Sequence, residues 1–344
     1  MIYDKIKIYV TKRIATLLES DADSFEFHKR DGVTVNKNAF LTALIINYQD
    51  EFRTRQQNIS SKIEEILKTS RLTYNEISNF VPLITEGVNR EITYDPVEKF
   101  DSLVSLKPTK ESQPIIEFAE NYLINGSSLS EFYRNMFTSY ASQPKDKREE
   151  IIFRKQVTEI NKAISENKKI FITTQTSNNE LKELEPYAIA RSKEEMHLYL
   201  LAKQGHIKMP LRISRITSVT ILNSESNFTE EDVEFFKKMQ TYGPQFFYGK
   251  QDPIITVRLT PNGKEKFKRF YVHRPTPISV NDNVYVFNCS QDQVIQYFIK
   301  FGNDAFVESP IFVRDKMMMF FRRALQSYKR KIFNSEVAVT EDEE

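Results

Sequence analysis

Lys5-Ile6-Lys7-Ile8-Tyr9-Val10 decides the fold of the N-terminal part of this chain, because its polar and apolar residues alternate with the period of a β-strand. A helix is predicted over about 11–28, and a second, amphipathic helix over about 36–55 with Asn36 as its N-cap. A lone strand leaves its backbone edges and its apolar side without partners. We therefore predict that the strand pairs with its own copy in a dimer. The resulting ribbon would present Lys5, Lys7 and Tyr9 to nucleic acid.

The composition is that of an ordinary globular protein, with 40% hydrophobic and 28% charged residues in a chain of 344. This length allows two or three domains. The formal net charge is only +2, so attraction to phosphates must come from local patches. A single cysteine, Cys289, excludes an internal disulfide framework and suits a reducing cytosol. Because no signal-peptide pattern and no long apolar run occur, we expect a cytoplasmic protein that does not contact a membrane.

The pattern of apolar residues changes twice along the rest of the chain. Apolar spacings of three and four residues predict mostly helical structure up to about residue 165, with an irregular connection over about 95–114. Short alternating runs then begin at Lys168 and predict a small β-barrel of the Sm or SH3 type. Strands and helices alternate after that, which predicts a compact α+β unit. The predicted fold class is α+β and multidomain, divided into 1–55, 56–165, 166–226, 227–334 and an acidic, disordered tail at 335–344.

A helix predicted over 313–331 combines an apolar stripe with basic residues. The stripe consists of Met318, Phe321, Leu325 and Tyr328, and Arg322, Arg323 and Lys329 surround it. We expect the stripe to be the core-facing side of a solvated helix, and Met317-Met318-Met319 to fill a core or a dimer contact. The alternative, phosphate tracking by the basic flank, would make binding depend on salt.

The first 50 or so residues resemble the ribbon-helix-helix family of DNA-binding proteins. The resemblance rests on the alternating strand and on Gly32-x-Thr34-Val35-Asn36 at the entry to the second helix. It implies that Lys5, Lys7 and Tyr9 enter the major groove, and that Thr34, Asn36 and Lys37 hold a phosphate at the helix N-terminus. The acidic residues Glu19, Asp21, Asp23 and Glu26 would then face away from DNA. Alternatively, the strand serves only to form a dimer or packs on a later domain.

The segment 168–222 resembles the WYL domain, with Leu198-Tyr199-Leu200 in the place of the motif that names it. Pro186-Tyr187-Ala188-Ile189 and the stretch Arg212-Ile213-Ser214-Arg215-Ile216 fit the frame around that motif. Residues 253–330 resemble the extension that often follows a WYL domain and takes part in dimerisation. The resemblance implies a sensor for nucleic acid or nucleotides.

Four residues are carried over as ligand contacts by their motif positions: Tyr187, Tyr199, Arg212 and Arg215. An arginine offers a planar fork for a phosphate or a base edge, and a tyrosine offers a face on which a base can stack. Tyr199 lies in an apolar run, so the alternative for it is a place in the core.

The combination of the two modules resembles the WYL-type accessory proteins of type VI-D CRISPR systems. It implies a homodimer that binds single-stranded RNA and stimulates the RNA-guided, RNA-cleaving effector nuclease. Two other hypotheses stay open. One is a ligand-responsive transcription regulator whose ribbon binds duplex DNA, and the other is a scaffold that contacts the nuclease through protein surface alone.

Enzyme signatures are missing from the sequence: it has no phosphate-binding glycine loop, no His-Glu-x-x-His and no Gly-x-Ser-x-Gly. The four histidines are far apart in the sequence and lack the spacing that would pair them on a helix. We therefore expect no enzymatic activity, no cofactor and no metal. A nuclease site dispersed along the chain is the alternative, since its residues need only meet in space.

Overall fold

The computed structural model describes residues 5–93, 99–124, 128–174, 182–192, 197–244, 253–270 and 272–329. The chain divides into two compact units. The first contains 1–189 and 202–226, and the second contains 190–201 and 227–344. Both units mix helices with antiparallel sheets, which confirms the predicted α+β class. The predicted tail at 335–344 lies outside the described residues.

The N-terminal strand β1 (Ile6–Val10) pairs antiparallel with β2 (Ser102–Leu106) of the same chain. The premise that the strand is unpaired within its own chain is therefore wrong, and the two-stranded ribbon is formed by a single chain. Its faces are as predicted, since Ile6, Ile8 and Val10 are buried while the intervening residues are exposed. Strand β2 lies inside the stretch predicted to be irregular. Five residues bounded by polar and proline-bearing segments are too short for local pattern to reveal a strand.

Between β1 and β2, the described residues of the chain form α1 (Lys12–Ser24), α2 (Lys37–Lys68) and α3 (Tyr74–Thr93). Asn36 is the N-cap of α2, as predicted, and its side-chain oxygen accepts a hydrogen bond from the Ala39 amide at 3.2 Å. Helix α2 continues past its predicted end near residue 55. Its buried residues all belong to the part up to Phe52, and the remainder packs against α3.

The described residues of this part also form α4 (Gln113–Tyr122), α5 (Leu129–Ala141), α6 (Lys145–Ile152) and α7 (Arg154–Ser165). Within the stretch predicted to be mostly helical up to about residue 165, the last two helices are separated at Phe153, which ends α6 and begins α7. The Phe153 ring is buried and packs edge-on against Phe25 and stacks on Phe27. The break thus lies at the residue that makes these aromatic contacts.

The second sheet has the order β6-β5-β4-β3-β7. Its strands are β3 (Lys168–Thr174), β4 (Lys182–Arg191), β5 (Leu198–Gln204), β6 (Ile207–Arg212) and β7 (Ile216–Glu225). In the described residues this sheet is not closed into the predicted barrel. A 3-10 turn over Ile213–Arg215 joins the edge strands β6 and β7. The four residue-to-residue steps from Arg212 to Ile216 can span at most about 14 Å. The sheet must therefore curl enough to bring its edge strands β6 and β7 close together, although the two strands are not paired by ladder hydrogen bonds.

Among its described residues, the second unit contains an antiparallel sheet in the order β11-β8-β10-β9 and four α-helices. The strands are β8 (Ile254–Leu259), β9 (Pro277–Asn281), β10 (Val284–Asn288) and β11 (Ala305–Ser309), and the helices are α8 (Glu230–Tyr242), α9 (Pro261–Arg269), α10 (Gln291–Phe298) and α11 (Ile311–Lys329). Phe287, Phe298 and Phe301 pack at the centre of its core. Strands β9 and β11 were not predicted.

Helix α11 departs from the prediction in how it packs. Val313 and Met317, in its first two turns, are buried in the core of the unit. The predicted core-facing stripe is exposed instead, with exposed fractions between 37% at Phe321 and 83% at Tyr328. Apolar residues occur around more of this helix than the sheet can cover.

Within the described ranges, no helix is long and apolar enough to cross a membrane.

Candidate nucleic-acid interface

The two arginines predicted to bind ligand converge on one carboxylate, that of Glu26. Arg212 donates from Nη1 to Glu26 Oε1 at 3.1 Å, and Arg215 donates from Nε and Nη2 at 3.1–3.2 Å. The Ser214 hydroxyl donates to Glu26 Oε2 at 3.2 Å. We call these four residues the Glu26 cluster. Two positive charges and one negative charge meet there.

Local backbone geometry brings both arginines to this point. Arg212 is the last residue of β6, and Arg215 is the last residue of the 3-10 turn that follows, so the turn brings both side chains to the same carboxylate. Arg212 also donates to the carbonyl of Ser24, the last residue of α1, at 3.2 Å. A cation is favourable there because the C-terminus of a helix carries partial negative charge.

The C-terminal turn of α1 places Glu26 within reach of the two arginines. The Glu26 amide donates to the Asp23 carbonyl, and the Phe27 amide donates to the Ala22 carbonyl. This hydrogen-bond pattern is a Schellman motif, with Glu26 at the left-handed position, where φ is 63°. Phe27 then stacks on Phe153, which fixes the direction of the chain after the turn.

The Glu26 carboxyl is held in its charged form. Partial burial raises its pKa, but the hydrogen bond from Arg215 and the charges of both arginines outweigh burial, so the pKa lies below the ordinary value. The cluster therefore already contains an anion, held by the geometry that an arginine pair offers to a phosphate.

The two tyrosines carried over with the arginines differ in exposure. Tyr187, on β4, is half-buried. Tyr199, on β5, is a core residue with 7% of its surface exposed. A base could stack on the Tyr199 ring only if this strand moved, so the core alternative describes its position.

The outer face of the ribbon presents Lys5, Lys7 and Tyr9 to solvent, as predicted. Across the ribbon, Leu103 lies opposite Tyr9 and is also exposed. Arg134, from α5, donates to the Tyr9 carbonyl at 2.6 Å and lies over the Phe100 ring at 4.5 Å. Sequence reasoning missed these three neighbours, because their positions depend on the unpredicted strand β2.

The predicted phosphate site at the start of α2 is occupied by side chains of the chain itself. Asp31 accepts hydrogen bonds from the Thr34 hydroxyl at 2.5 Å and from the Thr34 amide at 2.8 Å. Asn36 caps the helix, and Lys37 forms an ion pair with Glu19 at 2.8 Å. The structure thus gives each of the three predicted phosphate contacts an internal partner.

Two acidic residues of the α1 region have roles that the sequence did not indicate. Asp21, expected to face away from DNA, is buried and accepts hydrogen bonds from Arg148 at 2.6 and 3.0 Å and from the Tyr140 hydroxyl at 2.8 Å. Glu26 lies on the arginines described above. Partners more than 100 residues away in sequence cannot be inferred from the helix pattern.

No protein-family model and no curated protein matches the sequence. Among solved structures, the chain is similar to the crystal structure of a CRISPR Cas-related protein, with a TM-score of 0.67, 20% sequence identity and 96% of each chain covered. Proteasome accessory factor B/C (PafBC) of Arthrobacter aurescens also aligns, with a TM-score of 0.28, 13% identity, and coverage of 77% of this chain and 46% of that one. The first likeness shows a shared fold over nearly the whole chain. The second is too low to carry an argument.

Proposed function

We propose that this protein is a non-enzymatic accessory protein of a CRISPR system that binds single-stranded RNA through Arg212 and Arg215. The observation that carries the proposal is the convergence of both guanidinium groups on one carboxylate. An arginine pair spaced to hold a carboxylate is also spaced to hold the oxygens of a phosphate. Binding through phosphates needs no base-specific groups, which suits a sequence-tolerant RNA ligand.

The CRISPR setting is supported by the fold shared with a CRISPR Cas-related protein over 96% of both chains. The resemblance of the sequence to type VI-D accessory proteins leads us to propose a type VI-D system in particular. In that setting the RNA-bound protein stimulates the RNA-guided, RNA-cleaving effector nuclease.

The experiment compares RNA binding by wild-type protein and by the double variant Arg212→Ala/Arg215→Ala at several salt concentrations. We expect the variant to lose most of its affinity for single-stranded RNA. Its log–log salt slope should also become shallower, by about 0.7 for each phosphate that the arginines no longer neutralise. Arg258→Ala is the matched control, because it removes an exposed arginine that also pairs with a carboxylate, that of Glu308. Equal RNA binding by all three proteins would contradict the proposal.

The same variants test stimulation of the nuclease. A protein that acts through bound RNA should stop stimulating RNA cleavage when both arginines are replaced. A scaffold that contacts the nuclease only through protein surface should stimulate it unchanged, and that result would replace our proposal with the scaffold hypothesis.

A transcription regulator is the second candidate, and one observation favours it. The exposed face of the ribbon presents Lys5, Lys7 and Tyr9 together on a two-stranded element. A two-stranded ribbon fits the major groove of duplex DNA.

A further inference from the structure

The residue that terminates α1 is unusual for its backbone position. Glu26 has a φ of 63°, at the position of a Schellman motif where glycine is normally favoured. A residue with a Cβ is disfavoured there, because the Cβ lies too close to the following carbonyl oxygen. Such local strain persists when the rest of the structure stabilises it, and it is frequent at functional sites. The side chain therefore requires an explanation beyond termination of the helix, which glycine would achieve at lower free energy.

The carboxylate of Glu26 supplies that explanation. It accepts hydrogen bonds from Arg212, Ser214 and Arg215, and both arginines contact its Oε1 atom within 3.2 Å. These are the two arginines through which we propose that RNA binds. A phosphate needs the same N–H groups that Glu26 now occupies, so the carboxylate and an RNA phosphate compete for them.

We infer that Glu26 is an internal competitor of RNA, which holds the arginine pair until a phosphate displaces it. This inference rests on the proposed function and concerns the regulation of the same site. Displacement would also remove the side-chain contacts that tie Glu26, just after α1, to Arg212 at the end of β6 and to Arg215 in the turn that follows.

The test measures the affinity of full-length protein for one single-stranded RNA with Glu26→Gln and Glu26→Gly. Glutamine keeps the size of the side chain and removes its charge. Glycine removes the side chain and favours the left-handed backbone, so this variant should fold even if the absence of the ion pairs destabilises the first. Because RNA no longer has to displace a charged hydrogen-bond acceptor, we expect both variants to bind RNA on the order of tenfold more tightly.

The control is Glu64→Gln, which removes one carboxylate from an exposed ion pair with Lys68 at 2.7 Å. It should leave RNA affinity within about twofold of the wild type, because screening by salt makes a single distant surface charge count for little. That result excludes a general effect of net charge. If Glu26 merely fastens two parts of the fold, both Glu26 variants will melt at a lower temperature and bind RNA no more tightly than wild type. That result would overturn the inference.

Failure of the inference can be told apart from failure of the proposed function. RNA binding that is abolished in Arg212→Ala/Arg215→Ala but unchanged in both Glu26 variants contradicts only the competitor. RNA binding that is insensitive to the arginine substitutions contradicts the proposed site and the competitor together. If RNA binding by the wild type is too weak to measure, measurable RNA binding by the Glu26 variants supports the inference. No RNA binding by those variants overturns both the proposed site and the competitor role of Glu26.

Discussion

Lys7 lies opposite Ser105 in the antiparallel pair of β1 and β2, so both strands of the ribbon come from one chain. A strand that is paired within the chain has no need of a second copy to satisfy its edge on that side. Recognition of nucleic acid by the ribbon and dimerisation of the protein are therefore separate questions. Each requires its own experiment.

The ribbon face is tested by Lys5→Ala/Lys7→Ala. Both side chains are exposed and lie outside the core, so the variant should fold with an unchanged melting temperature. We expect it to lose affinity for duplex DNA, because the removal of two cations weakens binding to phosphates and to the groove. Most of its affinity for single-stranded RNA should remain. Loss of RNA binding in this variant alone would contradict the division of labour between the ribbon and the Glu26 cluster.

The turn before α2 should make stability depend on pH in acid. A hydrogen bond from the Thr34 hydroxyl, followed by those from the Thr34 and Val33 amides, lowers the pKa of Asp31 from 3.8 to about 2. Since the pKa is lower in the folded state, the charged carboxylate stabilises the fold above about pH 4. That contribution is lost as the pH falls towards 2.

Asp31→Asn isolates this effect. The variant should melt at a lower temperature than wild type at pH 7, and the difference should shrink between about pH 4 and pH 2. Asp50→Asn, on the exposed side of α2, is the control. A difference that stayed constant down to pH 2 would show that the Asp31 charge contributes nothing to stability.

The buried ion pair between Asp21 and Arg148 predicts a large effect on stability. The two side chains are only 3% and 12% exposed, and the Tyr140 hydroxyl donates to the same carboxylate. Asp21→Asn would leave the Arg148 guanidinium buried without its counter-charge, so the free energy of unfolding should fall by about 3 kcal/mol or more. Urea denaturation measures this change. Glu150→Gln, in the exposed pair with Lys147, should change it by less than about 1 kcal/mol.

How much of this fold the sequence could predict depends on the range of each interaction. The faces of β1 were predicted correctly, because alternation along a strand is a local property. The N-cap at Asn36 was also predicted, since capping involves residues three apart. The partner of β1 was not predicted, because β2 begins 92 residues after the end of β1 and is only five residues long.

The candidate site shows the same division. The motif around Arg212 and Arg215 indicated an anion-binding pair, and the structure brings the two together. Their acceptor could not be found from the sequence, because Glu26 is separated from Arg212 by 186 positions. From the sequence alone, a glutamate at the end of a helix is expected to be solvated. The positive φ of Glu26, which marks it as unusual, is visible only in the structure. Tyr199 could not be assigned either, since an aromatic residue in an apolar strand suits a core as well as a ligand.

Dimerisation remains a prediction, and the exposed apolar stripe of helix α11 is a candidate surface for it. Phe321, Leu325 and Tyr328 form an exposed apolar stripe, and a stripe of this kind on a helix favours a protein partner. We propose that a second copy of the chain covers it. Light scattering at micromolar concentration should give about 81 kDa, twice the 40.5 kDa of one chain. Phe321→Glu/Leu325→Glu should give a monomer, whereas Gln326→Glu, an exposed polar position on the same helix, should not. A wild-type mass near 40.5 kDa would contradict the prediction.

The most direct test of the central claim is a titration of the purified protein with single-stranded RNA, single-stranded DNA and duplex DNA of matched sequence, at two salt concentrations. We predict that single-stranded RNA binds most tightly and that its affinity falls as salt rises. A clear preference for duplex DNA would contradict the RNA-accessory account. It would make this protein a transcription regulator that binds through its ribbon.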